Sequence, residues 1–173
     1  MLRVKQNSQR AAVLAALLLV AVAALAYRFI IRDEAQRGGT ATERLEIVTA
    51  SGLVRQFEVE VARSSAEQRL GLMYRTALAD NRGMLFPHDV PRESSMWMRN
   101  TYIPLDMVFI REDGRIHRIE ADAEPHSERI ITSEGAVSAV VELAGGATRR
   151  LGIAAGDLVR HPHFSVADKR SGP

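Results

Sequence analysis

Hydrophobic and polar positions alternate in the middle of the chain, as they do in β-strands that have one solvated face. The clearest segment is 54–61 (VRQFEVEV), which places its apolar side chains on one face and Gln and Glu on the other. A strand that begins at Leu45 precedes it, with a turn at Ser51-Gly52 between the two. This arrangement predicts a β-hairpin.

The rest of the pattern adds short strands and one or two short helices. Ser64 and Glu67 have the spacing of a capping box, which predicts a helix that runs through Met73. Asp113-Gly114 is a hairpin signal. Further strands are predicted at 83–86, 96–99, 105–110, 115–119, 137–143 and 158–159, with a helical turn at 147–151.

Short strands separated by turn residues indicate a mainly β (α+β) domain, which we place at residues 44–162. A small antiparallel β-barrel or closed sandwich is expected, because closure removes exposed strand edges. The chain is predicted to fray from His161, and residues 163–173 are predicted to form a flexible tail.

The N-terminal part has a different pattern. A basic region (1–10) precedes an apolar segment, 11–31, in which Arg28 is the single charge and which is long enough for a transmembrane helix. A polar linker is predicted at 32–43. The segment is either an uncleaved signal anchor or a signal peptide cleaved near Ala26, where the sequence Ala-Leu-Ala fits a cleavage site. Either interpretation places the domain outside the cytoplasm, at the periplasmic face of an inner membrane.

Charge and composition exclude several classes of protein. Residues 1–37 carry six basic and two acidic side chains, whereas residues 38–173 carry 17 basic and 19 acidic ones. The domain therefore lacks the positive surface that a nucleic-acid partner would require. The chain has no cysteine, which excludes disulfides, thiolate metal sites and cysteine catalysis.

Asp106 is the first candidate for chemistry, because it lies in a strand (LDMVFI) that is apolar on both faces. A buried carboxylate must find partners. One interpretation is a polar pocket with Arg75 as the clamp for a small ligand; the alternative is that Asp106 accepts backbone N–H bonds or one arginine and fixes the loop at 99–104. The pocket hypothesis comprises Arg75, Trp97, Asn100, Thr101, Asp106 and Glu142.

Glu142 is a second candidate, because it lies on the face of Val140 in an apolar strand, and one interpretation makes it a second inward carboxylate. If it met Asp106 across a pocket, the two carboxyls could perform acid–base chemistry. The alternative is that Glu142 pairs with Arg149 or Arg150, or faces solvent.

Methionine gives a third candidate. Met96 and Met98 would place two thioethers on one strand face, and with His88 they could bind copper(I). The alternative is that the methionines fill gaps in the core. No other metal site, cofactor motif or nucleophile motif is present in the sequence.

Five separated motifs resemble the domain of unknown function 192 family (the UPF0127 proteins): GLMYR from 71, GMLF from 83, WMRNTYIPLD from 97, VELAGG from 141 and LGIAAGD from 151. The resemblance covers roughly residues 55–160. It implies a small β-rich domain, often behind a signal peptide or anchor, and no established activity. Met96 departs from the pattern, since relatives often have an aromatic residue there.

Three functions are compatible with these features. The first is a binding module for a small molecule or an envelope protein, tethered to the membrane through residues 11–31. The second is a hydrolase-like envelope enzyme with Asp106 as general base. The third is a copper(I) protein using Met96 and Met98.

Overall fold

A computed structural model describes residues 42–164 of the chain. The predicted membrane segment 11–31, most of the predicted linker and most of the predicted tail lie outside this range. Within residues 42–164, neither helix has the length and apolar character needed to cross a membrane.

The described part forms seven strands and two short helices. In chain order they are β1 (Thr42–Val48), β2 (Val54–Val61), α1 (Ser65–Leu70), β3 (Arg82–Met96), β4 (Leu105–Ile110), β5 (Ile116–Ala123), β6 (Ile131–Ala144), α2 (Ala147–Leu151) and β7 (Leu158–Arg160).

All seven strands belong to one sheet, in the order β5-β4-β6-β3-β2-β1-β7. The sheet curls into a half-barrel, and its two edges approach at an isolated bridge between Arg115 and Leu158. The expected antiparallel barrel or closed sandwich is corrected in two respects: the sheet is a half-barrel, and its β2–β3 pair is parallel. A parallel pair needs a crossover, and residues 62–81, which contain α1, provide it.

Local signals placed several elements correctly. The β1–β2 hairpin forms with the predicted turn, and Ser64 and Glu67 form a complete capping box at the start of α1. The turn at Asp113-Gly114 joins β4 to β5. Helix α1 ends at Leu70 rather than Met73, because Gly71 adopts a φ of 49° and leaves the helical region.

Strand β3 differs most from prediction. It continues for 15 residues through Pro87 and Pro91, where the sequence predicted an interruption. A register shift against β6 lies between Pro87 and Arg92, so the ladder is irregular where proline has no N–H to donate. The strand ends at Met96, and the predicted strand at 96–99 is wrong: residues 97–104 form a loop.

Two hydrophobic clusters lie on opposite faces of the central strands. The first includes Phe57, Val108 and Leu143, and it fills the curl of the sheet. The second includes Phe86 and Met107, on the opposite face of the same strands. Every residue of β4 is buried, as its apolar sequence predicted.

The end of the described chain is packed rather than frayed. Phe164 is 4% exposed and belongs to the first cluster, and His161 is also buried. The ring of Phe164 makes edge contacts with His161 and His163. The predicted fraying from His161 is therefore wrong for residues 161–164.

Candidate functional site

Asp106 is fully buried and accepts four hydrogen bonds. Its Oδ1 accepts from the backbone N–H of Asp122 and of Gly146, both at 2.8 Å. Its Oδ2 accepts from the Thr148 backbone N–H at 2.8 Å and from the Thr148 hydroxyl at 2.6 Å. The predicted alternative of backbone N–H partners is confirmed, but the loop that Asp106 fixes is 145–148 rather than 99–104.

These bonds give Asp106 a structural role. Asp122 and Gly146 both have left-handed backbone conformations, with φ of 51° and 73°, and the carboxylate holds both of them. A carboxylate that already accepts four hydrogen bonds and is shielded from solvent is poorly placed to accept a substrate proton. The geometry therefore does not support Asp106 as a general base.

Arg75 and Asn100 do not meet Asp106. The Arg75 guanidinium donates to Glu60 Oε2 at 2.8 Å, in a half-exposed ion pair. Asn100 has a φ of 56°, and its carbonyl accepts a hydrogen bond from the Tyr74 N–H. Both residues shape the turns at 71–75 and 97–101 and do not line the cavity described next.

The other three predicted residues, Trp97, Thr101 and Glu142, line one cavity of about 400 Å³. We call it the Glu142 pocket. Its wall is mainly apolar and open to solvent on one side. The lining residues are Gln68, Arg69, Leu70, Gly71, Leu72, Met73, Phe86, Ser95, Met96, Trp97, Thr101 and Glu142.

Glu142 is the buried acid of this pocket. It is 4% exposed, and within residues 42–164 its carboxyl makes neither a hydrogen bond nor an ion pair. Burial raises the pKa of the Glu142 carboxyl to about 8. The predicted arginine partners bind elsewhere: Arg149 pairs with Asp122, and Arg150 pairs with Asp80.

The two buried carboxyls cannot act as a pair. Strands β4 and β6 are neighbours, with Asp106 opposite Leu143 and Met107 opposite Glu142. Side chains of successive residues point to opposite faces of a sheet. Glu142 therefore lies on the face of Met107, in the second cluster, while Asp106 points to the other face.

Helix α1 and the loop at 97–104 form the walls of the pocket. Gln68 fixes the helix, because its side-chain amide donates to the carbonyls of Ala62 and Pro87 at 3.2 and 3.0 Å. Trp97 remains 44% exposed, and the Arg99 guanidinium lies 5.6 Å from its ring centroid. No pattern in the sequence indicated that 68–73 and Phe86 line this pocket, although the capping box already indicated a helix there.

The backbone approaches Glu142 closely from β3. Gly83 lies opposite Leu143, and a Cβ atom on it would stand 2.5 Å from the Glu142 carbonyl oxygen. Glycine at this position lets β3 pack directly against the strand that carries Glu142.

The predicted copper ligands are divided between different environments. Met98 is fully buried in the second cluster, and Met96 packs against that cluster while it lines the Glu142 pocket. His88 lines a separate, polar cavity of about 560 Å³, where Arg92 Nη2 lies 3.3 Å from its Nδ1. Within residues 42–164, no three His, Asp or Glu side chains form a group that could hold a metal ion.

Two solved structures are similar to this chain. One, from Sinorhizobium meliloti 1021, carries the name "putative transcription regulator"; it is 44% identical, with a TM-score of 0.71, over 73% of this chain and 98% of that one. The other, from Novosphingobium aromaticivorans DSM 12444, is a protein of unknown function; it is 42% identical, with a TM-score of 0.67, over 69% of this chain and 85% of that one.

No curated protein matches the chain. The sequence profile of the DUF192 family, described as "Uncharacterized ACR", matches residues 46–161, which span the second half of β1, all later strands and the pocket described above. This match agrees with the motifs identified in the sequence. The chain therefore belongs to the DUF192 family.

Proposed function

We propose that this domain is a binding module and that the Glu142 pocket is its ligand site. The observation that carries the proposal is a carboxyl buried at the wall of an open cavity without a partner in the described part of the chain. Among the described residues, the fully enclosed side-chain atoms without a hydrogen-bond partner belong to His88 and His161, so the Glu142 carboxyl is not sealed off from its cavity. A ligand in the cavity can therefore reach the carboxyl and supply the hydrogen bond that it lacks.

The composition of the pocket supports a small ligand. Ligand sites are concave and mostly apolar, with a few polar groups that fix orientation. Two aromatic residues and two methionines supply apolar contact area: Phe86, Trp97, Met73 and Met96. Among the lining residues, Glu142 is the acid. The three predicted residues that converge, Trp97, Thr101 and Glu142, all belong to this arrangement.

Charge does not favour a nucleic-acid ligand, despite the name given to the Sinorhizobium meliloti protein. Residues 42–164 contain 15 arginines and no lysine, against 18 acidic residues, which gives a formal charge of −3. Six of these arginines form seven ion pairs with Asp or Glu of the same range. A binder of nucleic acid needs unpaired positive charge on one face.

We also propose that residues 11–31 export the domain or tether it to a membrane, with the domain on the periplasmic side. The support is the length and apolar character of that segment. Cell fractionation of the full chain tests this: the domain is expected in the membrane or periplasmic fraction. Recovery in the cytosol at full-length mass would contradict it.

The binding proposal is testable because Trp97 is the only tryptophan in the chain and lines the pocket. The full chain in lipid nanodiscs is titrated with cyclohexanecarboxamide, a neutral probe with an apolar body that does not absorb in the tryptophan band. We expect a saturable change in tryptophan emission.

A pocket-filling variant supplies the control. Ser95 lines the pocket from an exposed position on β3, so Ser95→Phe should fill the cavity and abolish the saturable change. Ala155→Phe places the same side chain on an exposed loop away from the pocket and should bind like the parent chain. Equal binding by Ser95→Phe would contradict the proposal, and so would the absence of a saturable change in the parent chain with this probe and with its ammonium and carboxylate analogues.

A further inference from the structure

Within residues 42–164, no cation of the protein forms an ion pair with the Glu142 carboxyl. Arg69 lines the pocket from α1, and Arg99 lies over Trp97 on the loop at 97–104. Burial accounts for the shifted pKa of Glu142, without a contribution from either arginine. The strand neighbours of Glu142 in β3 and β4 are Met84 and Met107, which carry no charge.

The groups beside Glu142 are ones that accommodate a cation. Trp97 and Phe86 offer aromatic rings, whose faces attract cations, most strongly in the case of tryptophan. Met73 and Met96 bring polarizable thioethers to the same cavity. A buried carboxylate is stable when a cation pairs with it in good geometry, and within residues 42–164 the chain supplies none here.

We propose that the Glu142 pocket binds a primary ammonium group on a small apolar body, with the ammonium on the Glu142 carboxylate and the body against Trp97 and Phe86. This inference rests on the proposed binding function and names its ligand class. Binding involves no covalent step: the ligand enters as R–NH₃⁺, the Glu142 proton leaves to solvent, and a neutral ion pair remains in the pocket.

The proposal makes a specific prediction of pH dependence. At pH 6 about 1% of Glu142 is ionised if its pKa is about 8, and at pH 8 about half is. The affinity for an ammonium ligand should therefore rise on the order of 50-fold from pH 6 to pH 8. The charged side chains beside the pocket are Arg69 on α1 and Arg99 on the loop at 97–104.

A neutral ligand behaves in the opposite way. A carboxamide pairs with the protonated carboxyl, so its affinity should be constant up to about pH 7 and fall above pH 8. A carboxylate ligand would have to bind through Arg69 at the open side of the pocket and would be disfavoured as Glu142 ionises.

Three probes that share one ring distinguish these cases: cyclohexylmethylammonium, cyclohexanecarboxamide and cyclohexanecarboxylate. Each is titrated into the full chain at pH 6, 7 and 8, with Trp97 emission as the readout. Calorimetry at pH 7 in two buffers of different ionisation enthalpy counts the protons released. We expect close to one proton per ammonium bound and the 50-fold rise in ammonium affinity.

Glu142→Gln separates the carboxylate from the cavity. This variant should lose at least tenfold in ammonium affinity at pH 8 and lose its pH dependence, while carboxamide binding should persist and shows that the variant is folded. Nα-acetyllysine methylamide extends the series to a lysine side chain within a peptide. Binding as tight as that of the small amine would show that the pocket also accepts a peptide lysine. Weaker binding would show that the pocket prefers a free small amine, and both results agree with the proposal.

The outcomes are separable from those of the binding proposal. If the carboxamide binds and the ammonium does not, or if ammonium affinity is independent of pH, the ligand class is wrong and the binding function stands. If no probe binds the parent chain, and circular dichroism shows that the parent chain is folded, both proposals fail.

Discussion

At the scale of single residues, two buried carboxyls on neighbouring strands occupy opposite electrostatic environments. Asp106 accepts four hydrogen bonds from Asp122, Gly146 and Thr148. Glu142 lies on the neighbouring strand, next to the residue that pairs with Asp106. It accepts none from the described part of the protein. The first carboxyl is paired with donors and stabilises the fold, whereas the second is held neutral by burial and remains available to a ligand.

Replacement of Asp106 by asparagine tests its structural role. The amide N–H₂ of Asp106→Asn would face backbone N–H donors, leaving buried groups unpaired, so we expect the free energy of unfolding to fall by about 3 kcal/mol. Urea unfolding followed by circular dichroism measures the loss. Thr148→Val removes one donor only and should cost about 1 kcal/mol. An unchanged Asp106→Asn would show that these bonds contribute little.

Stability should also depend on pH through Glu142. Its ordinary pKa is 4.5 and its folded pKa is about 8, so between these values the folded state holds a proton that the unfolded state has released. The free energy of unfolding therefore falls as pH rises through this window, by roughly 5 kcal/mol in total.

Comparison with Glu142→Gln isolates this effect. Burial lowers the pKa of His88 and His161, which makes stability rise with pH over the acidic side of the same range. Both histidines are present in Glu142→Gln, so the difference in unfolding free energy between the two chains reports on Glu142 alone. We expect the free energy of unfolding of the variant to increase relative to that of the parent from pH 5 to pH 8. A difference that stays constant over this range would contradict the raised pKa of Glu142.

At the scale of elements, the short helix α1 matters because it forms one wall of the ligand site. Its six residues include no buried one, so packing of the helix itself contributes little. The capping box holds its first turn: Ser64 Oγ accepts from the Glu67 N–H at 3.2 Å, and Glu67 Oε2 accepts from the Ser64 N–H at 2.7 Å. Local stability of the pocket therefore depends on its N-terminal cap.

Ser64→Ala should destabilise helix α1, which forms this wall of the pocket, more than the rest of the domain. Loss of an N-cap hydroxyl typically costs about 1 kcal/mol. Hydrogen exchange of the Gly71 amide, which donates to the Glu67 carbonyl at 2.8 Å, should accelerate about fivefold. Ser65→Ala, at the exposed next position, is the matched control and should exchange like the parent chain. Equal rates in both variants would mean that the cap does not hold the helix.

At the scale of the whole molecule, the last described residues help to hold the curled sheet together. Strand β7 pairs with β1 at one edge, and the Val159 N–H donates to the Gly114 carbonyl at 2.8 Å, next to the start of β5. Phe164 packs into the first cluster immediately beyond this contact. Residues distant in sequence thus meet where the two edges of the sheet approach.

Phe164→Ala should destabilise the whole domain. Truncation of a buried phenylalanine typically costs about 3–4 kcal/mol through lost burial and the cavity left behind. Pro162→Ala, at an exposed position two residues away, should change stability little. Thermal unfolding of the two variants measures the difference in stability. Equal melting temperatures would show that residues 161–164 do not unfold together with the rest of the domain.

Sequence-based prediction succeeded where the physical cause is local. The alternation at 54–61, the Ser64 cap and the turn at Asp113-Gly114 each depend on residues within a few positions of one another. It failed at β3, where two prolines predicted an interruption that a register shift accommodates. It also placed Arg75 and Asn100 in the wrong surroundings, because their contacts depend on how two loops pack.

The sequence by itself determined that this domain is mainly β, that the strand at 105–110 is apolar on both faces, and that Asp106 within that strand is therefore buried. Those features follow from side-chain periodicity and from the cost of exposing apolar surface. Only the tertiary structure decided which acid receives partners. The donors to Asp106 lie 16, 40 and 42 residues away along the chain, and the helix and loop that enclose Glu142 come together by long-range packing that no local pattern encodes.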